Sequence, residues 1–234
     1  MSTKKLIVNA DDFGQSEGIN EGIIKAYENG IVTSASLMVR YPGALSASEY
    51  AKNNAMLGIG LHLDLGEWIF NQGKWSLLYE VVSLNDVQAV ELEVKSQLEI
   101  FYKIMRRKPT HIDSHQHIHN HKNVLPIVQK IASDLNISLR GYSSSIEYCG
   151  LFYGQTIDAQ PNHSVISVDG LKKIISEIRE GTTELACHPG LKNDINTMYK
   201  IEREMEVNTL CDKLIKQQIV DNAIELTSFK NISF

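Results

Sequence analysis

Apolar and polar positions along the chain switch repeatedly between two periods. Leu6-Ile7-Val8 is a short continuous apolar run, as in a strand buried on both faces, and predicts a strand over 5–9. From Ser16 the period becomes helical: Ile19, Ile23, Ile24 and Tyr27 share a face, and Asn29-Gly30 is a stop signal. A strand over 33–39, a helix beginning near Pro42 or Ala44 and a strand over 57–64 follow. Residues 66–83 read as an irregular stretch holding Trp68, Phe70, Trp75 and Tyr79. A long helix over about 84–107 comes next, with Glu91–Lys95 and Glu99–Lys103 at the supportive i,i+4 spacing. The pattern then gives a strand over 110–114, a helix over 122–134, a short strand over 137–140 and a Ser-, Gly- and Tyr-rich loop over 141–163. A strand over 164–167, a helix over 169–180, a strand over 183–187, a helix over 199–216 and a last strand near 222–226 complete it.

Repeated strand–helix alternation implies an α/β protein with a parallel sheet and right-handed crossovers. Seven or so such units fit a (β/α) barrel, distorted or incomplete. A chain of 234 residues without low-complexity linkers or internal repeats fits one domain spanning 1–234. In such barrels the chemistry sits at the C-terminal rim of the strands.

Composition changes this picture mainly by exclusion. Hydrophobic content of 43% and charged content of 22% are ordinary for a globular chain. A net charge of −5 provides no basic footprint, and Arg106-Arg107-Lys108 reads as a helix C-terminal turn, so a nucleic-acid partner is not expected. Met-Ser-Thr-Lys-Lys leads straight into a strand, and neither a signal-peptide pattern nor a membrane-length apolar run is present. The three cysteines, Cys149, Cys187 and Cys211, show no CxxC spacing, and a reducing, cytoplasmic setting is the expectation. Cys187 and His188 are strand neighbours that face apart, which argues against a nucleophile–base dyad.

The candidate chemistry lies at predicted strand ends. Thr110 to His121 holds five of the eight histidines, and His111, Asp113, His115, His117, His119 and His121 all occupy odd positions. An extended segment would aim them at one side. Alternate residues on a strand lie about 6–7 Å apart, so two such side chains can reach one ion but four cannot. His115 is the expected ligand, His117 is expected behind the ligands or against substrate, and His119 and His121 peripheral. Asn9-Ala10-Asp11-Asp12-Phe13-Gly14 ends the first strand in two acids. Both can face one site only if the chain turns there, which Gly14 permits; the bland alternative is a helix cap. His62 ends the strand over 57–64, where a histidine is by default a satisfied core group, and His188 precedes the Pro189-Gly190 break. Carboxylate and imidazole donors suit a divalent metal. Asp12, His62 and one of His115 and His117 suit the ligand role, Asp11 a general base and His188 a general acid, together giving metal-assisted hydrolysis of an amide or ester.

In combination and order these motifs resemble the YdjC-like carbohydrate deacetylases: Asn9 to Gly14, Asn29-Gly30-Ile31-Val32-Thr33-Ser34, Gly60-Leu61-His62, Pro109 to His119 and His188-Pro189-Gly190. The resemblance spans nearly the whole chain. It implies a polysaccharide-deacetylase-like distorted barrel, a single catalytic domain, and removal of N-acetyl groups from chito-oligosaccharides such as diacetylchitobiose, in the context of chitin degradation. It implies Asp11 as base, Asp12, His62 and His115 as metal ligands, His188 as acid and an active-site role for Arg140. By resemblance the ion is Mg2+; by ligand chemistry a two-His, one-Asp set prefers Zn2+ or another transition ion. The expected partner is a small oligosaccharide, with no nucleic acid and no membrane, and a homodimer stays open. The rivals are a metal-dependent phosphoesterase or cyclic amidohydrolase, which would open with His-x-His rather than Asp-Asp, and a non-catalytic metal- or sugar-binding protein, which needs no base beside its ligands.

Overall fold

The first strand, β1 (Lys4–Phe13), is buried from Leu6 onward and sits mid-sheet. Its side chains alternate between two environments. Leu6, Val8 and Ala10 join the main apolar core, whereas Ile7 packs with Ile146 and Phe229 in a separate cluster. Asn9 and Asp11 continue the Ile7 side of the strand as a polar layer above that cluster. The structure, a computed structural model, describes residues 3–191, 194 and 197–232.

Helix α1 (Glu17–Asn29) starts where the Ser16 hydroxyl accepts a bond from the Ile19 N–H at 3.2 Å, and it buries Ile19, Ile23 and Ala26. After it come β2 (Ser34–Leu37), α2 (Ala44–Asn53) and β3 (Gly58–Leu63). In β2, and in β3 before His62, the residues facing the polar layer are small, Ser34, Ser36, Gly58 and Gly60, while Ala35, Leu37, Ile59 and Leu61 pack outward into the core. Small residues are required there: a Cβ on Gly60 would lie 2.4 Å from the His111 ring.

Residues 66–80, expected to be irregular, form an antiparallel hairpin of β4 (Gly66–Asn71) and β5 (Lys74–Glu80). Gln72 and Gly73 at its tip both have positive φ, as a tight primed turn demands. Helix α3 (Val87–Met105) is capped by Asp86 and forms the expected Glu91–Lys95 pair at 2.6 Å. Next are β6 (His111–Ser114), a 3-10 turn over His115–Asn120, α4 (Leu125–Leu135) and β7 (Ser138–Leu139).

The loop expected over 141–163 contains a strand, β8 (Ile146–Cys149). The strand expected over 164–167 is instead a turn leading into α5 (Val168–Ser176). Then come β9 (Gly181–Cys187), two helices where one was expected, α6 (Ile201–Leu210) and α7 (Lys213–Asp221), and β10 (Ile224–Thr227). Asp212 separates the two helices by capping α7.

All strand pairs of the large sheet are parallel, in the order β7-β6-β3-β2-β1-β9-β8, with β10 beside the first half of β1. Strands β7 and β8 end that order and do not pair. The result is an incomplete (β/α) barrel, as the alternation predicts. No helix among the described residues is long and apolar enough to cross a membrane.

Candidate active site

The C-terminal ends of β1, β3, β6 and β9 meet at one rim. The turn that brings both acids there falls on Asp12 itself, whose φ is +67°, and on Gly14 at +91°. The β1–β2 register shifts between Ala10 and Phe13, so Asp11 and Asp12 occupy a bulge.

Asp12, His62 and His115 each offer one donor atom within 4.8 Å of the others. Asp12 Oδ1 lies 3.3 Å from His62 Nε2 and 3.1 Å from His115 Nδ1. The other nitrogen of His62, Nδ1, meets Asp113 Oδ1 at 2.8 Å, directly across the β3–β6 register. A carboxylate behind an imidazole fixes its tautomer and ring plane. Burial alone would keep His62 neutral, but Asp113, Asp12 and Asp11 outweigh it and carry its pKa up to about 10. Burial also opposes ionisation of Asp12, yet Arg203, whose Nη2 is 2.6 Å away, and His115 hold it well below the usual carboxylate range.

The donor set fits a divalent cation on three counts. It combines one carboxylate with two imidazoles. His62 Nε2 and His115 Nδ1 both converge on Asp12 Oδ1, at 3.3 and 3.1 Å. Among the described residues, the buried acids Asp11, Asp12, Asp113, Glu184 and Glu206 surround the set with the guanidiniums of Arg140 and Arg203, an acid-rich centre that favours a cation.

Asp11 is gripped end-on. Arg140 Nη1 and Nη2 donate to its two oxygens at 2.6 and 2.7 Å, and Asn9 Nδ2 donates to Oδ1 at 2.9 Å. Arg140 also reaches Asp113 at 2.8 Å and Glu184 on β9 at 2.7 Å, and lies under the Tyr148 ring of β8 at 5.3 Å. Despite burial, this guanidinium holds the Asp11 carboxyl below its ordinary value. Glu184 is pushed up to about 7, because burial outweighs its Arg140 partner.

His188, just beyond β9, places Nε2 3.7 Å from Asp11 Oδ2. Its ring packs edgewise on Tyr153 and Tyr199, and burial pushes its pKa down to about 4. Its backbone N–H donates to Glu206 at 2.5 Å, and Glu206 also accepts from the Tyr199 hydroxyl. A cavity of about 300 Å³ opens onto Asp11, Asp12, His62, His115 and His188, with Tyr148, Phe152, Tyr153 and Tyr199 among its walls.

The structure thus brings together Asp11, Asp12, His62, His115, His188, Arg140 and Asp113. It does not keep the histidine row on one side. Strand β6 ends at Ser114, and Gln116 and His117 adopt left-handed φ of +48° and +55°. His117 turns to the cavity mouth, where Nε2 meets the Tyr148 hydroxyl at 3.2 Å. His111 faces inward but is a core group, stacked on Phe229 at 3.8 Å. His119 is buried and bonded to Ser114, and His121 is half-buried at the turn's end. The sequence reading missed Arg203, Glu184, Glu67 and Ser36. Arg203 sits on a helix face and Glu184 inside an apolar run, where spacing alone carries no signal.

A profile of the YdjC-like protein family matches residues 5–221. A carbohydrate deacetylase of Vibrio parahaemolyticus is 31% identical over 249 residues, covering 96% of this chain and 95% of that protein. A chitooligosaccharide deacetylase of Escherichia fergusonii is 30% identical, covering 97% and 98%. A solved structure from Enterococcus faecalis V583, provisionally described as a cellobiose-phosphate cleavage protein, superposes with a TM-score of 0.79 at 27% identity over the whole of both chains. A family 4 carbohydrate esterase from Streptomyces lividans superposes with a TM-score of 0.55 at 10% identity, covering 97% of this chain and 93% of that one, a likeness of fold alone.

Proposed function

Because this chain belongs to the YdjC-like protein family, we propose that it is a metal-dependent carbohydrate N-deacetylase that hydrolyses N-acetyl groups of short chito-oligosaccharides or related sugars. The observation that carries this reading is the placement of Asp11 and His188, 3.7 Å apart, beside the Asp12–His62–His115 donor set on one cavity. A merely metal-binding protein has no use for a carboxylate held ionised next to its ligands.

A divalent ion held by Asp12, His62 and His115 would polarise the acetyl carbonyl and acidify a bound water. The donor set suits Zn2+ or another transition ion; Mg2+, the ion implied by family resemblance, would lean on added water ligands. Asp11, fixed by Arg140, accepts a proton from the attacking water as its oxygen bonds to the acetyl carbon. His188 Nε2 lies 3.7 Å from Asp11 Oδ2, too far for a direct bond, so a single bridging water would carry that proton to neutral His188, which passes it to the amine nitrogen as the C–N bond breaks and acetate leaves. Tyr148 and Tyr153 line the cavity with aromatic rings against which a sugar can pack.

Cleavage of a phosphorylated disaccharide is the second reading that the Enterococcus structure raises. Among the described residues the cavity's guanidinium is Arg203, and Asp12 engages it at 2.6 Å. That commitment favours an uncharged acetamido group over a phosphate. The deciding experiment couples metal analysis of the purified chain to an acetate-release screen on N-acetylated sugars. Acetate should appear, stop on chelation and return with added divalent metal. A metal-loaded protein that releases no acetate from any N-acetylated sugar would refute the assignment.

A further inference from the structure

The two histidines of the donor set are not supported alike. His62 has Asp113 behind it at 2.8 Å. His115 turns Nδ1 toward Asp12, and its outer nitrogen, Nε2, is buried without a partner. Across from that nitrogen, at 4.0 Å, lies Glu67 Oε2. The Glu67 side chain is only 12% exposed, so its carboxylate has lost most of its water. Burial of this kind costs free energy unless a cationic or hydrogen-bonding partner offsets it.

Glu67 does not belong to the barrel. It is carried by β4 of the hairpin, and the hairpin is fastened to the histidine turn by the next residue along. The Gln116 side chain accepts from the Trp68 N–H at 2.8 Å and donates to the Trp68 carbonyl at 2.8 Å. Gln116 therefore pairs with Trp68 as a neighbouring strand would, and Glu67 faces His115. The left-handed φ of Gln116 makes this clamp reachable. Such backbone is retained where the surroundings over-determine it.

We propose that Glu67 is a positioning residue of the metal site, accepting a hydrogen bond from the outer nitrogen of His115 and thereby tying the β4–β5 hairpin to the ion. The present 4.0 Å separation closes through a small side-chain torsion or a single bridging water. Glu67 would then do for His115 what Asp113 does for His62. It touches neither substrate nor reacting atoms and acts only through the ring.

The inference rests on the metal-site reading above. Its test is equilibrium competition for Zn2+ against a chromophoric chelator, on the full-length chain and without substrate. Glu67→Ala should weaken the ion's binding roughly 10–100-fold, the scale for a lost partner behind a ligating histidine. Glu67→Gln keeps an acceptor oxygen and should lose less. Nitrogen-15 spectra of the zinc-loaded protein should show the proton on Nε2 of His115 in the wild type and a shifted Nε2–H signal in both variants. Glu67→Gln is nearly isosteric, so it reports even if Glu67→Ala folds poorly. Wild-type zinc affinity in a folded Glu67→Gln and Glu67→Ala pair overturns the role of Glu67 alone. A wild-type chain that binds no divalent ion overturns both this role and the functional reading.

Discussion

Arg140 is the residue on which most of the site's charge depends. Its guanidinium serves Asp11, Asp113 and Glu184 together while fully buried. Replacing it with Met would leave three carboxylates facing each other without a counter-charge. Removing one partner of a buried ion pair costs about 3–5 kcal/mol, so Arg140→Met should lower stability by at least that, read as a shift in the urea midpoint. Arg140→Lys should recover only part, since an ammonium cannot hold both Asp11 oxygens in a fork. The adjacent acids should separate by role. Asp12→Ala removes a ligand and should abolish metal uptake. Asp11→Asn should keep the ion and the fold while turnover falls by roughly 10²–10⁴-fold, the scale for a missing general base. Near-normal turnover in Asp11→Asn would remove it from that role. His188→Ala should likewise spare metal content and lower kcat, with a smaller loss on an ester whose leaving group needs no proton. Residues of this kind were legible because they stand at strand ends in types that chemistry needs. Arg203 and Glu67 were not: one arrives from a helix late in the chain, the other from a stretch with no clear period, and only the folded chain brings either to Asp12 and His115.

At the scale of elements, periodicity gave most strands and helices, and its failures have physical causes. Ile146-Glu147-Tyr148-Cys149 carries too little apolar signal to stand out from a loop, yet it pairs with β9 from Thr182 to Leu185. Val165-Ile166 looks like a strand because both residues pack into the core, but Ser167 caps α5 at once and leaves no length for one. The His row failed because an alternating pattern cannot announce the point where a strand ends. Glycine placement shows how firmly elements fix the site. A Cβ on Gly22 of α1 would fall 2.3 Å from the Gly190 Cα, so the helix backbone packs directly on the turn that follows His188. Helix propensity alone predicts that Gly22→Ala stabilises by about 1 kcal/mol. The packing predicts the opposite: the turn must shift, at a cost of about 1–3 kcal/mol. We expect a lower urea midpoint and a lower kcat with metal content unchanged. A gain in stability would show that the turn yields freely and that α1 does not position His188.

At the scale of the whole molecule, the barrel is open between β7 and β8, and the polar centre links strands that the sheet leaves far apart. Arg140, after β7, reaches β1, β6 and β9 and lies against Tyr148 of β8, so the charge cluster spans the gap that hydrogen bonding does not. A divalent ion would add a further link among β1, β3 and the turn after β6. Its effect on stability should depend on pH in a definite direction. Without the ion, His62 is held protonated up to about pH 10, against an unfolded value near 6.5. A raised folded-state pKa contributes stability that is fully present below the unfolded value and is lost as pH rises toward the folded one. The metal-free protein should therefore weaken between about pH 6.5 and 10. Metal binding displaces that proton, so the ion competes less with protons as pH rises through the same window. The difference in Tm between metal-loaded and chelator-treated protein should consequently widen from pH 6.5 to pH 9. At an ion concentration 100 times its Kd the stabilisation is about 2.7 kcal/mol, or roughly 5–10 °C for a chain of this size. Differential scanning calorimetry at both pH values provides the check. A gap that is constant, or that narrows with rising pH, would mean that His62 is not the group the ion displaces a proton from, and that the charge balance of this buried centre is met in another way.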